Sequence, residues 1–317
     1  MPAHNLPYEP LRKNVYNPDE LFAKFSASDP NSYLYLPDFK IYQHFVSEGR
    51  ATPANYFSAM MQSLHDNSIT QSVGSILSGK KCVAIMGGHK LGRSTSQFSD
   101  IATLSSLLTK SGFLVASGGG PGAMEATHLG AACCNENDTV LAKAVVDLSK
   151  TEDLPTDIAQ IVDASGTPNL TIVAAAHKWF SAAMIVRSKI ATPGVSLAIP
   201  TWHYGHEPTT PFATHIAKYF QNSIREDGLL ALAQDGVVYA QGKAGTIQEI
   251  FQDAAQNYYR SFGRFSPMVF LDKAYWTSTY PVESVLKALL KPDDYTKYVL
   301  FTDDVREAHD FLVKGHA

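Results

Sequence analysis

From residue 80 onward, short apolar runs alternate with longer stretches in which apolar residues return every three or four positions. The runs 82–86, 113–117, 139–146, 195–199, 236–240, 268–271 and 298–301 predict strands; the stretches 96–111, 122–134 and 174–190 predict helices. Strand and helix in regular succession imply an α/β fold, a doubly wound, mostly parallel, Rossmann-like sheet with helices on both faces. Residues 1–78 read differently. They are rich in aromatics, proline, asparagine and serine, show helical spacing near 19–25 and 53–77, and contain no alternating run. This predicts an N-terminal helical extension, 1–78, packed on a main domain, 79–317.

Composition narrows the function. With 45% hydrophobic and 18% charged residues among 317, the chain has material for a large core. A net charge of -4 and the lack of a Lys/Arg-rich run argue against a nucleic-acid polymer as partner. Cys82, Cys133 and Cys134 lack CxxC spacing and read as buried thiols of a reduced compartment. The first residues carry no apolar signal region and no run of about 18 apolar residues occurs, so a cytoplasmic protein without membrane contact is expected.

Two glycine-rich turns, GGGPGAMEA at 118–126 and QGKAGTIQE at 241–249, each join an apolar run to a helical pattern. With the Gly87-Gly88-His89 turn, they fall beyond strand C-termini, where ligands of such sheets bind. Glycine lets backbone amides approach an anion, and a following helix start adds unsatisfied N–H groups and a positive dipole end. The candidate phosphate or nucleotide contacts are therefore Gly87, Gly88, Gly118, Gly119, Gly120, Gly122, Met124, Glu125, Gly242, Lys243, Ala244, Gly245 and Thr246. The first turn has neither the GxGxxG spacing of a dinucleotide fingerprint nor the Lys-Ser/Thr ending of a P-loop, and a bare strand-to-helix turn with Pro121 at the helix start also fits it. Thr246-Ile247-Gln248-Glu249 fits a capping box, which would account for Glu249 without chemistry. Lys243 reads either as a loop charge or as a phosphate partner.

These segments resemble the GGGxxGxM and PGGxGTxxE motifs of the Lonely Guy proteins and their larger bacterial relatives, the nucleotide 5'-monophosphate nucleosidases; the resemblance covers roughly residues 80–275. It implies a Rossmann-like fold without pyridoxal phosphate or another cofactor. The implied activity is hydrolysis of the N-glycosidic bond of a nucleoside monophosphate to free base and ribose 5-phosphate. The family's essential arginine matches Arg187, in Arg187-Ser188-Lys189, and its motif acid matches Glu249; an exposed ion pair is the plainer reading of Arg187. Gln241 and Lys243 stand where the family has proline and glycine, and Ser188 separates the arginine from the lysine. Glu249 would stabilise the sugar cation or activate water, and Glu125 is the next acid to consider.

Residues 199–228 lengthen the chain between Arg187 and the second motif and read as an inserted lid and helix. Trp202 and Tyr204 would either stack on a base or fasten the loop to the core. His203, His206, Glu207 and His215 invite a zinc reading, but HxxHE matches neither HExxH nor HxxEH, so no metal is expected. The expected partner is a small-molecule nucleotide, bound by a homodimer or higher homo-oligomer. Two other classes stay open: a non-catalytic nucleotide sensor or carrier, and a nicotinamide oxidoreductase, for which Asp147 is the only loose candidate for a ribose-gripping acid.

Overall fold

The computed structural model of the chain describes residues 6–53, 55–151, 154–203 and 206–314. Tyr204, one of the two candidate stacking residues, lies outside them. Among the described residues, seven strands form one sheet: β1 Cys82–Met86, β2 Leu114–Ser117, β3 Ser196–Ala198, β4 His215–Ile216, β5 Val237–Tyr239, β6 Met268–Leu271 and β7 Val299–Thr302. Their order is β4-β3-β2-β1-β5-β6-β7 and every pairing is parallel. The expected doubly wound, Rossmann-like α/β fold is what the chain adopts.

Alternation along each strand splits the core in two. Cys82, Ala84 and Met86 of β1 face one layer and Val83 and Ile85 the other; Val237 and Tyr239 of β5 part from Val238 in the same way. On the Val83 side lie the helices Ser96–Lys110, Ala123–Ala132, Asp138–Ser149 and Val305–Lys314. On the Cys82 side lie Tyr56–Leu77, Asn222–Leu232 and Ala244–Tyr259, together with the N-terminal aromatics Tyr16, Phe39 and Phe45. The helix Leu170–Arg187 contributes Trp179 and Phe180 to the Cys82 side, and Ala183 and Val186 to the Val83 side.

The chain winds from β1 outward to β4, then returns to place β5 against the other side of β1. That reversal puts a crevice at the C-terminal ends of β1 and β5, where open α/β sheets bind ligands. The turn after β2 lies one strand away.

Several elements differ from the sequence reading, among them the helix Pro37–Ser47 and those after β6, which it did not name. Residues 139–146 are not a strand but part of the helix Asp138–Ser149. Asn137 caps it by accepting from the Thr139 amide, and the buried Ala144 and Leu148 stand four apart, as one helical face requires. Within 199–228, β4 was not foreseen, and among the described residues the helix begins at Asn222. Tyr16 exchanges two backbone hydrogen bonds with Ile216, at 2.9 and 2.8 Å, and so covers part of the sheet edge at β4. In the first 78 residues, helices occupy Pro18–Leu21, Pro37–Ser47 and Tyr56–Leu77, with a 3-10 turn at Pro30–Tyr35. Asn55 caps the longest, accepting from the Ser58 amide at 2.7 Å. Among the described residues, no helix is long and apolar enough to cross a membrane.

Candidate active site at the glycine turns

The turns after β1, β2 and β5 pack on one another. Gly88 N–H donates to Gln241 O at 2.8 Å and Ala123 N–H donates to Gly88 O at 3.2 Å, so the Gly87-Gly88-His89 turn ties the two glycine motifs together. Gly119 and Gly122 have φ of +73° and +70°, and a Cβ at Gly122 would come within 2.8 Å of His89 backbone. Only glycine satisfies both the positive φ and the close approach there.

Beneath the first turn, Ser117 Oγ accepts from the Gly119 amide at 3.2 Å and meets His128 Nε2 at 2.9 Å; His128 Nδ1 in turn meets Ser196 Oγ at 2.9 Å. Burial pushes the His128 imidazole down to about 3, so it is neutral and fixes the turn by hydrogen bonds alone. Sequence reading missed His128.

Protein side chains, rather than open solvent, lie on this first turn. Gly118, Gly119, Gly120 and Gly122 are buried. A Cβ at Gly118 would collide with Arg225 Nη2 and with Met124 Sδ; one at Gly120 would come within 2.9 Å of Met124 Cε and 3.1 Å of Glu207 Oε2. The glycines expected to admit an anion thus also admit Arg225, Met124 and Glu207. Glu125, expected at the nucleotide, already has protein partners. It is fully buried and both its oxygens are taken by Arg93, at 2.7 and 2.6 Å, whose guanidinium also stacks on Trp179 at 3.9 Å. Two-point pairing of this kind holds both side chains in one geometry.

The second turn is open. Lys243, Ala244 and Gly245 are exposed, and nothing lies within 4 Å of a Cβ built at Gly245. The helix begins at Ala244 with Lys243 at its cap position and no side-chain cap bond, so the expected capping box does not form. Thr246 already lies inside the first turn, with its hydroxyl folded against Gly242, and Glu249 is one turn further on. The first N–H groups of this helix therefore have no side-chain cap. Gln241 Nε2 donates to Asp272 and Tyr275 OH donates to Gly242 O, which holds the turn from behind.

Glu249 points toward the first turn. Its Oε1 lies 3.6 Å from Arg225 Nη1, with the two side chains only 12% and 15% exposed. Burial, opposed by Arg225, pushes the Glu249 carboxyl up to about 7, and Glu226 adds to the rise. Glu207, which lies against Gly120 in the first turn, has its Oε1 3.9 Å from His89 Nδ1. Burial raises the Glu207 carboxyl too, against the pull of His89, Arg225 and Lys218. Arg225 is anchored in addition by Nε donating to Ile199 O at 3.3 Å. One guanidinium thus stands beside Glu249 and against Gly118, at the junction of two glycine turns.

Arg187 is elsewhere. It ends its helix at the surface and pairs with Asp19 at 2.8 Å, the plainer of its two readings. The cation beside Glu249 is Arg225, which sequence reading passed over because nothing in Ser223-Ile224-Arg225-Glu226 marks it apart from an ordinary solvated helix. Trp202 does not offer a face to a base. It is 1% exposed, its ring sits 4.6 Å from that of Phe220, and its Nε1 donates to Asp38 at 2.9 Å. The loop around it is fastened to the core: Lys218 Nζ pairs with Asp38 at 2.7 Å, and the His206 ring meets Tyr33 OH at 2.8 Å. His215 bonds its neighbour Thr214. Asp147, on the helix Asp138–Ser149 rather than after a strand, pairs with Lys150 and Lys189 at the surface.

Comparison of the chain with protein-family models and with curated proteins finds no match.

Proposed function

We propose that this chain hydrolyses the N-glycosidic bond of a nucleoside 5'-monophosphate, as its resemblance to the Lonely Guy proteins and the nucleotide 5'-monophosphate nucleosidases implies. The observation that supports this most is Glu249, a buried carboxyl pushed up to about 7, held 3.6 Å from Arg225 on the same helix whose exposed N-terminus carries Lys243, Ala244 and Gly245. A 5'-phosphate on those amides would be stabilised by the helix dipole and the Lys243 charge. The ribose would then extend toward the first turn, with C1' near Glu249.

In this reading, breaking the C1'–N bond leaves its electron pair on the base and positive charge on the sugar. Ionised Glu249 stabilises that cation and accepts a proton from the attacking water, while the departing base takes a proton from solvent and Glu249 later returns its own. A group with a pKa near 7 is suited to both states of this exchange. Arg225, permanently charged, keeps part of the Glu249 population ionised and orients it. Fixing the phosphate supplies much of the rate through positioning. A cytoplasmic location and a homo-oligomeric state belong to the same reading.

The test is chromatographic detection of free base after incubation with each nucleoside 5'-monophosphate, with the matching nucleoside as control. Release from the monophosphate alone supports the reading. Tight binding without release from any of them assigns the site to a nucleotide carrier or sensor instead, and equal rates on nucleoside and nucleotide remove the phosphate from the argument.

A further inference from the structure

Resting on that reading, we infer that Glu207 is the specificity-determining residue for the sugar: its carboxylate accepts hydrogen bonds from the vicinal ribose hydroxyls of the nucleotide. Glu207 stands over the first glycine turn, its Oε2 within 3.1 Å of where a Cβ at Gly120 would lie, and its side chain is 27% exposed, so it looks outward from the turn.

Its backbone is held in place. On one side His206 is 1% exposed and its ring meets Tyr33 OH at 2.8 Å; on the other, Thr209 Oγ1 accepts from Lys218 Nζ at 2.8 Å and Thr210 N–H donates to Gly119 O at 2.9 Å. The carboxylate is therefore presented by a loop pinned to the turn itself. Such pinning is what orienting a ligand requires.

The carboxylate is also short of donors. Among the described residues none donates a hydrogen bond to it, and the nearest side-chain nitrogen is His89 Nδ1 at 3.9 Å, beyond hydrogen-bond reach. A carboxylate is an acceptor with several lone-pair sites, and at 27% exposure those of Glu207 are open to the donors of a ligand. The complementary ligand must therefore bring donors. A phosphate brings negative charge and is repelled. Sugar hydroxyls bring donors, and a vicinal pair matches the two oxygens of one carboxylate. The charge order across the site agrees with this: Lys243 and the open helix start at the second turn suit the phosphate, and Glu207 at the first turn suits the hydroxyls.

Calorimetric titration of the full chain with three probes tests the inference: inorganic phosphate, ribose 5-phosphate and 2-deoxyribose 5-phosphate. The wild type should bind ribose 5-phosphate at least about tenfold tighter than its 2-deoxy form. Glu207→Ala should lose this preference and weaken ribose 5-phosphate at least about tenfold while leaving phosphate affinity unchanged or higher. Glu207→Gln, which keeps the shape and one acceptor oxygen, should fall between. A wild type that binds both sugars equally, or a Glu207→Ala chain with unaltered ribose 5-phosphate affinity, overturns the inference while leaving the phosphate site standing. A wild type that binds none of the three probes overturns the phosphate site, and the inference with it.

Discussion

Arg225 touches both glycine motifs at once: its Nη1 lies 3.6 Å from Glu249 Oε1 on the helix behind the second turn, and its Nη2 lies against Gly118 in the first. A salt bridge between two side chains so little exposed is not the surface kind that contributes little. Since the guanidinium has no described partner as close as a hydrogen-bonded carboxylate, its charge stays available to a ligand.

The arginines separate the structural from the motif-based assignment. Arg225→Ala should lower kcat/KM for the best nucleoside monophosphate at least about 100-fold and move the pH profile upward, because the charge that opposes the rise of the Glu249 carboxyl is gone. Arg187→Ala should stay within about twofold of wild type, since an exposed pair with Asp19 is worth roughly 0–1 kcal/mol. Steady-state kinetics of the two variants checks this; loss of activity in the second alone would return the catalytic cation to Arg187.

Glu249→Gln should cost at least about 100-fold in kcat with phosphate binding kept, because an amide neither stabilises the sugar cation nor takes a proton. It should also change the response of stability to pH. The Glu249 carboxyl titrates near 7 in the fold against 4.5 for the free group, so the folded state holds the proton more tightly. That contribution is full below pH 4.5 and is lost as the pH rises through 7, by at most about 3 kcal/mol. Denaturant melts of Glu249→Gln between pH 5 and 8 should therefore show a shallower decline than the wild type. Some decline should persist, because Asp253, bonded to Tyr239 OH at 2.8 Å, is also raised to about 7 by burial.

Trp202→Ala should destabilise the fold by roughly 3–5 kcal/mol, the usual cost of emptying a large buried site. The ring fills a pocket among Tyr16, His65 and Phe220, and its loss also takes one donor from Asp38. At temperatures where the variant is folded, its ranking of bases should match the wild type. A changed ranking would mean that the side chain leaves the core to meet the ligand.

How far the sequence disclosed all this depends on the range of the interactions. β6 was legible to the residue, since a short apolar run between turn signals is a local pattern. The helix Asp138–Ser149 was misread because Val140, Leu141, Val145 and Val146 carry strand propensity, and its decisive features are a cap at Asn137 and one buried face. Glu249 was found because it belongs to a contiguous motif. Arg225 and the pinned Glu207 were not, because what defines them is a partner far along the chain: Gly118 and Gly120 for their side chains, and Asp38 for the Lys218 that steadies the loop, 180 positions away. The same distance hides how 199–228 is fastened: Trp202 and Lys218 find their partner in Asp38 and His206 in Tyr33, and composition carries no trace of that.

Glycine substitutions at the two turns should behave oppositely, and the contrast tests which turn meets the phosphate. At Gly119, φ is +73° and a Cβ would stand 2.7 Å from Ala198 Cβ, so Gly119→Ala should cost roughly 1–3 kcal/mol of stability before any ligand is considered. Gly245 has open space around it and no positive φ, and it lies in the first turn of a helix, where alanine is the better residue. Gly245→Ala should therefore fold as well as the wild type or slightly better. Its methyl would project where a phosphate must approach the amides, so phosphate affinity should fall by about tenfold or more at unchanged or raised Tm. Calorimetric titration with inorganic phosphate beside a thermal melt gives both quantities. Unchanged phosphate binding in Gly245→Ala would show that the anion does not contact this helix start, and would leave Arg225 at the first turn as the group to hold it.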